Sequence, residues 1–250
     1  ETETYTYHSN TDHRLPHTLS KTNSDATVFK QYFKYVKDYT GLSSGGDAYN
    51  SAIYAMQDAG RNINALIESY ESVNAGTEYV VSENLILPKA YYNSQTALNM
   101  YLPAETWRFV SHSGVVTSNF PSTITSGNFQ KYSGYYKTAT INEYDFGGLP
   151  VSVNATASRV NSGAIFDINN AGIKVAEFQN AKNTEVLYAS FDYNNGYTTF
   201  TGYTSGDIVA GGRKSKSCLS MTSSLSISKS VSNATTNSNM IFSCWIKGAS

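Results

Sequence analysis

One pattern recurs along most of this 250-residue chain: a Tyr, Phe or branched aliphatic residue alternates with polar ones, and Gly, Asn, Asp or Pro ends the run. Period-two alternation sends successive side chains to opposite faces, so such runs suit half-buried β-strands rather than the apolar stripe of a helix. TETYTYHS puts Tyr5 and Tyr7 on one face, and VFKQYFKYVKDY sets Phe29, Phe33 and Tyr35 among lysines. Between them DHRLPHTLSKTNSD carries Pro16 and an Asn-Ser-Asp turn, so the first 40 residues read as a hairpin. INALIESYESV and TEYVVSENLILPKAYYN flank Asn74-Ala75-Gly76, which signals another. The rhythm continues through ALNMYLPAETWRFVS and GNFQKYSGYYKTATINEYDF, while the Ser/Thr/Gly-rich stretch 111–127 predicts a loop.

One segment breaks the rhythm. In LSSGGDAYNSAIYAMQDAG, Gly45-Gly46 interrupt the strand pattern, Asp47 is placed to cap a helix, and Ala48, Ala52, Ile53, Ala55 and Met56 follow helical spacing up to Gly60. The expected architecture is therefore mainly β, built of antiparallel hairpins with one short helix near 47–59. EVLYASFDYNNGYTTFTGYTSG and the short runs after it have the turn spacing of a β-sandwich. They predict a first region over 1–184 and an incomplete, jelly-roll-like sandwich unit over 185–250.

Composition narrows the function classes. Charged residues make up 15% of the chain and the formal net charge is −1, which gives no electrostatic footprint for nucleic acid or an anionic membrane. The 20 Tyr, 11 Phe and 2 Trp, with abundant Ser, Thr, Asn and Gly, suit an exported β protein. No apolar run approaches the ~20 residues of a membrane-spanning helix. Cys218 and Cys244 form no Cys-x-x-Cys pattern and read as small buried strand residues or as one disulfide. The opening on Glu1 and the strand pattern at FSCWIKGAS read as the ends of an excerpt from a longer polypeptide.

The stretch NEYDFGGLPVSV joins two strand patterns through a turn. The Tyr144 ring can pack on a neighbouring strand, Asp145 can accept backbone N–H bonds, and Gly147 and Gly148 can take φ > 0 before Leu149, Val151 and Val153 restart one face. Tyr144, Asp145, Gly147 and Gly148 are thus expected to form a structural turn. EYDFGGL also resembles the Tyr-Asp motif of RHS/YD-repeat proteins, and TYTYHSNTDHRLPHTLSKTNSD looks like a degenerate unit with His8 where Asp is expected. NATASRVNSGAIFDINN, VLYASFDYNNG and FSCWIKG are similar to segments of large RHS-like surface proteins of Bacteroidota-type bacteria, in which a carbohydrate-binding-module-like sandwich follows. The resemblance implies a β-ribbon that spirals into a shell or shaft, outside the cell or on its surface, with no active site in the repeats.

Chemistry-bearing residues offer less. His8, His13 and His17 lie around Pro16, which prevents a regular helix from converging them on a metal. GDIVAGGRKSKS puts Gly212-Arg213 where a phosphate loop needs Lys-Ser/Thr, so it reads as a polar turn with a small basic patch. Glu68, Glu71, Asp167 and Asp192 read as solvated or turn-capping carboxylates, and no serine sits in G-x-S-x-G. Asn154 and Asn233 each open an Asn-Ala-Thr sequon, incidental in a bacterial protein.

No catalytic, cofactor-binding or metal-binding residue and no cofactor is expected. Tyr193, Tyr197 and Tyr203 are candidate sugar-stacking residues of the C-terminal unit, near Phe200 and a core-type Trp245. The leading expectation is a structural, non-enzymatic segment whose partner is the rest of the same polypeptide or a larger assembly. The alternative is an adhesin or carbohydrate-binding module whose partners are glycans.

Overall fold

The computed structural model describes residues 2–7, 14–60, 62–74, 76–116, 122–145, 147–156, 158, 160–166, 174–181, 186, 201–210, 217–220 and 225–228, with backbone alone at 112–115, 175 and 217. The protein is mainly β, and among the described residues its paired strands are antiparallel and one α-helix is present. Two compact units are present, 1–148 with 154–159 and 149–153 with 160–250.

In the first unit the strands are β1 (Thr2–Tyr7), β2 (Pro16–Thr22), β3 (Val28–Tyr35), β4 (Leu66–Asn74), β5 (Glu78–Asn93), β6 (Leu98–Val116) and β9 (Tyr136–Tyr144). They pair antiparallel in that order. A short hairpin of β7 (Thr123–Thr125) and β8 (Asn128–Gln130) stands apart. Two sequence expectations need correction. The first 40 residues form three strands, because PHTLSKT between the two Tyr-rich runs is itself a strand and Pro16 starts it, where a missing N–H costs little. The stretch 111–127 is no simple loop, since β6 runs on to Val116 and β7 follows.

Local chemistry accounts for the joints. Asn23 opens the β2–β3 turn, in which its N–H donates to Thr27 O at 3.0 Å and Ala26 takes φ 65°. Asn74 Oδ1 accepts from Gly76 N at 2.9 Å in the β4–β5 turn. Helix α1 (Ala48–Asp58) starts where Asp47 Oδ1 accepts from the backbone N–H groups of Tyr49 and Asn50, and it ends at Gly60 with φ 59°.

Asn50, buried in the first turn of α1, anchors the helix. Its Nδ2 donates to Ser43 O, and its Oδ1 accepts from Phe129 N at 3.0 Å. The buried face of α1 carries Ile53 and Met56 onto Leu85, Leu87 and Phe109 of the sheet, with Val36, Tyr39 and Tyr135 closing the core.

Register decides which side chains share the covered face. Lys34, Glu68, Leu85, Trp107 and Lys137 form one cross-strand row, and Tyr32, Tyr70, Glu83 and Phe109 form the next. A β-bulge at Lys34/Tyr35 leaves Ile67 without an opposite residue, so Ile67 and Glu68 are both buried although adjacent. The other face is open, and its row Phe29–Val73–Tyr79–Val116 includes three exposed large apolar side chains.

β10 (Pro150–Ala155), of which 150–153 belong to the second unit, is followed in the sheet by β11 (Val160–Phe166) and β12 (Lys174–Gln179) of that unit. Gly163 of β11 lies opposite Phe178, and a Cβ there would stand 1.9 Å from Val151 O and 2.4 Å from the Phe178 ring. β13 (Ile208–Ala210) pairs with β14 (Ser217–Leu219) after a single 3-10 turn whose Asp207 accepts from Thr204 N and Oγ1. No helix is long and apolar enough to cross a membrane among the described residues.

Candidate functional site

The chemistry-bearing groups of the first unit gather on the covered face of β3, β4 and β5. Glu68, 1% exposed, receives three hydrogen bonds: Tyr39 Oη donates to Oε2 at 2.7 Å, while Tyr135 Oη at 3.0 Å and the Ser122 N–H at 3.1 Å donate to Oε1. Glu83, 0% exposed, lies diagonally across from Glu68 on the next strand, and its carboxyl oxygens have no hydrogen-bond partner in bonding geometry. Lys34, directly opposite Glu68 on β3, holds its Nζ 5.5 Å from the centre of the Tyr39 ring.

Burial sets the ionisation of this cluster. Desolvation pushes the Glu83 carboxyl up to about 10, and the neighbouring Glu68 carboxylate adds to the rise. Glu83 therefore stays a neutral acid at pH 7, able to donate a proton. The phenols of Tyr39 and Tyr135 are driven well above the usual tyrosine range, first by burial and then by the Glu68 charge. Burial lowers Lys34, partly offset by the charges of Glu68 and Asp38. A half-buried amine, a buried proton-holding acid and a buried carboxyl gripped by three donors thus lie on three neighbouring strands of one face.

The solvated reading of Glu68 is overturned: pairing with Lys34 and Leu85 turns it to the covered face. Glu71, three residues on, faces outward and accepts from Ser82 Oγ at 2.7 Å. A period-two reading of β4 could not distinguish these two fates, because the bulge beside Ile67 decides which residues are covered. Glu83 lies in VVSENLIL, where no local signal marks it.

A second polar group lies further along the same face. Buried Glu105 accepts from Trp107 Nε1 at 2.9 Å and pairs with Lys137. Lys131 and Lys137 hold their Nζ atoms 4.1 and 5.2 Å from the Trp107 ring centre. That aromatic face is occupied by the protein's own cations.

At the Tyr-Asp turn, Tyr144 Oη donates to Pro103 O at 2.6 Å and its ring meets Tyr91 edge-on at 4.8 Å. Asp145 Oδ1 accepts from Gly147 N at 3.0 Å, and Gly148 N donates to Asp145 O at 3.1 Å. Gly148 takes φ 80°, whereas Gly147 stays outside the left-handed region, so one glycine rather than two meets a conformational need.

Among the sugar-stacking candidates, Tyr203 is half-buried beside the Thr201–Ser228 bridge, and Tyr193, Tyr197, Phe200 and Trp245 lie outside the described residues. The same is true of His8, His13, Asp167, Asp192, Asn233, Cys244 and Phe146. His17 is exposed and meets Tyr32 edge-on, and Cys218 is half-buried opposite Val209. No three His, Cys, Asp or Glu residues gather as a metal site among the described residues. No family model, curated protein or solved structure matches the chain.

Proposed function

We propose that this chain is a structural, non-enzymatic segment of a large exported bacterial protein of the RHS/YD-repeat kind, in which antiparallel strands build part of a shell or shaft. On this reading its partner is the remainder of its own polypeptide or a larger assembly, and it works outside the cell or at its surface. The supporting observation is how the ionisable groups are used. Glu68 and Glu83 are closed off from solvent, and the hydrogen bonds to Glu68 tie β4 to the segments carrying Tyr39, Ser122 and Tyr135. Hydrogen bonds converging on a buried carboxyl in this way fix strand register. A panel of hydrolase and lyase substrates tests the idea with the parent chain and Glu68→Gln. No turnover by either is expected. Turnover by the parent that is lost in a folded Glu68→Gln variant would reject the scaffold role.

A second reading, glycan binding by an adhesin-like surface, draws on the exposed aromatics Phe29, Tyr79 and Tyr136 of the open face and on the Tyr193, Tyr197 and Tyr203 set. Polysaccharide pull-down distinguishes it. Retention that Tyr79→Ala or Tyr197→Ala abolishes would favour this role, and no retention would remove it.

A further inference from the structure

We propose that Lys34 and Glu68 are the reacting pair of a self-formed amide cross-link between strands β3 and β4, with Glu83 relaying protons and Tyr39, Tyr135 and Ser122 holding the reacting carboxyl. Directly opposed side chains of an antiparallel pair have Cβ atoms ~5 Å apart. The four-carbon arm of Lys34 therefore spans the gap to Glu68 without any backbone movement, once its Nζ leaves the Tyr39 ring for the Glu68 oxygen that the same tyrosine grips.

The surrounding groups match each step of amide formation. Burial favours the free amine of Lys34, which is the nucleophilic form. The Lys34 ammonium first passes one proton to Glu68 Oε2, and the Nζ lone pair this frees attacks Glu68 Cδ. Negative charge then gathers on Oε1, where the Tyr135 hydroxyl and the Ser122 N–H already donate, as an oxyanion site requires.

Glu83 is the acid beside them, fully buried and with no hydrogen-bond partner of its own. It passes its proton toward Oε2 and takes one back from Nζ, so it ends as it began. One Nζ–Cδ bond forms and one Cδ–Oε2 bond breaks. Two protons of the starting ammonium depart with that oxygen as water, and the ammonium and carboxylate charges both vanish. No oxidant, cofactor or external acyl donor is required, and the burial of Glu68 and Glu83 limits the access of water that would reverse the step.

Intact-mass measurement of the purified full chain, followed by peptide sequencing by tandem mass spectrometry, tests this directly. The expected result is a chain lighter by one water, with the loss located on a branched peptide joining Lys34 to Glu68 and no tryptic cleavage after Lys34. Lys34→Arg keeps the charge and should restore the full mass, and Glu83→Gln should leave most molecules unlinked. Cyclisation of Glu1 also loses water, but that loss would survive Lys34→Arg. An unshortened mass in the folded parent, or a water loss located anywhere else, overturns the proposal. The result bears on Lys34 and Glu68 alone and stands apart from the scaffold reading, which the substrate panel tests.

Discussion

Glu83 keeps its proton through neutral pH because folding removes the water that would solvate its charge and sets the Glu68 carboxylate beside it. In the unfolded chain it titrates near the ordinary value of 4.5. Below that pH both states are protonated and the group's contribution to stability is fully present. As pH rises toward about 10, only the unfolded state gains by ionising, so stability is lost across that window. Each pH unit inside it costs ~1.4 kcal/mol, which makes the loss on the order of 3–4 kcal/mol by pH 7. Glu83→Gln should therefore raise stability at pH 7 by about that amount and leave it almost unchanged at pH 4, as measured by urea unfolding. Making both proteins in the Lys34→Arg background keeps any cross-link from differing between them. An equal slope of stability against pH in the two proteins would show that Glu83 ionises freely in the folded state.

At the scale of elements, two substitutions probe joints that rest on different physics. Asp47→Ala removes the acceptor for two N–H groups at the start of α1 and should cost about 1 kcal/mol, read from the urea midpoint. Gly163→Ala forces a methyl group against the Val151 carbonyl and the Phe178 ring, so overpacking of about 1–3 kcal/mol is expected. Faster amide exchange across β10–β12 is the readout. The helix was legible in the sequence because its signals are local: a capping Asp, apolar positions at helical spacing and a terminal Gly. The β4–β5 hairpin was legible for the same reason, through Asn74 and Gly76. The cluster of Lys34, Glu68 and Glu83 was not, because it depends on pairing among three strands and on a bulge that no short window of sequence encodes. β2 was missed because Pro16 and its polar neighbours looked like a turn, although a strand tolerates proline at its first residue.

For the molecule as a whole, charge and exposed surface act in the same direction. A formal net charge of −1 and a pI near 6.5 leave little electrostatic repulsion between copies at neutral pH. The open face of the first unit meanwhile presents Phe29, Tyr79 and Val116 in one row, with Val110 and Tyr136 exposed nearby. Apolar side chains aligned on an extended sheet supply the attraction that the charge does not oppose. Light scattering should therefore show self-association strongest near pH 6.5, where a purely apolar contact would show no pH minimum in solubility. Phe29→Lys with Tyr79→Lys adds two positive charges and breaks the row, so the double variant should stay monomeric at concentrations where the parent associates. Both positions face away from the covered core, and the urea midpoint should move by no more than about 0.5 kcal/mol in stability. Persistent association of a correctly folded double variant would place the attractive surface elsewhere on the chain.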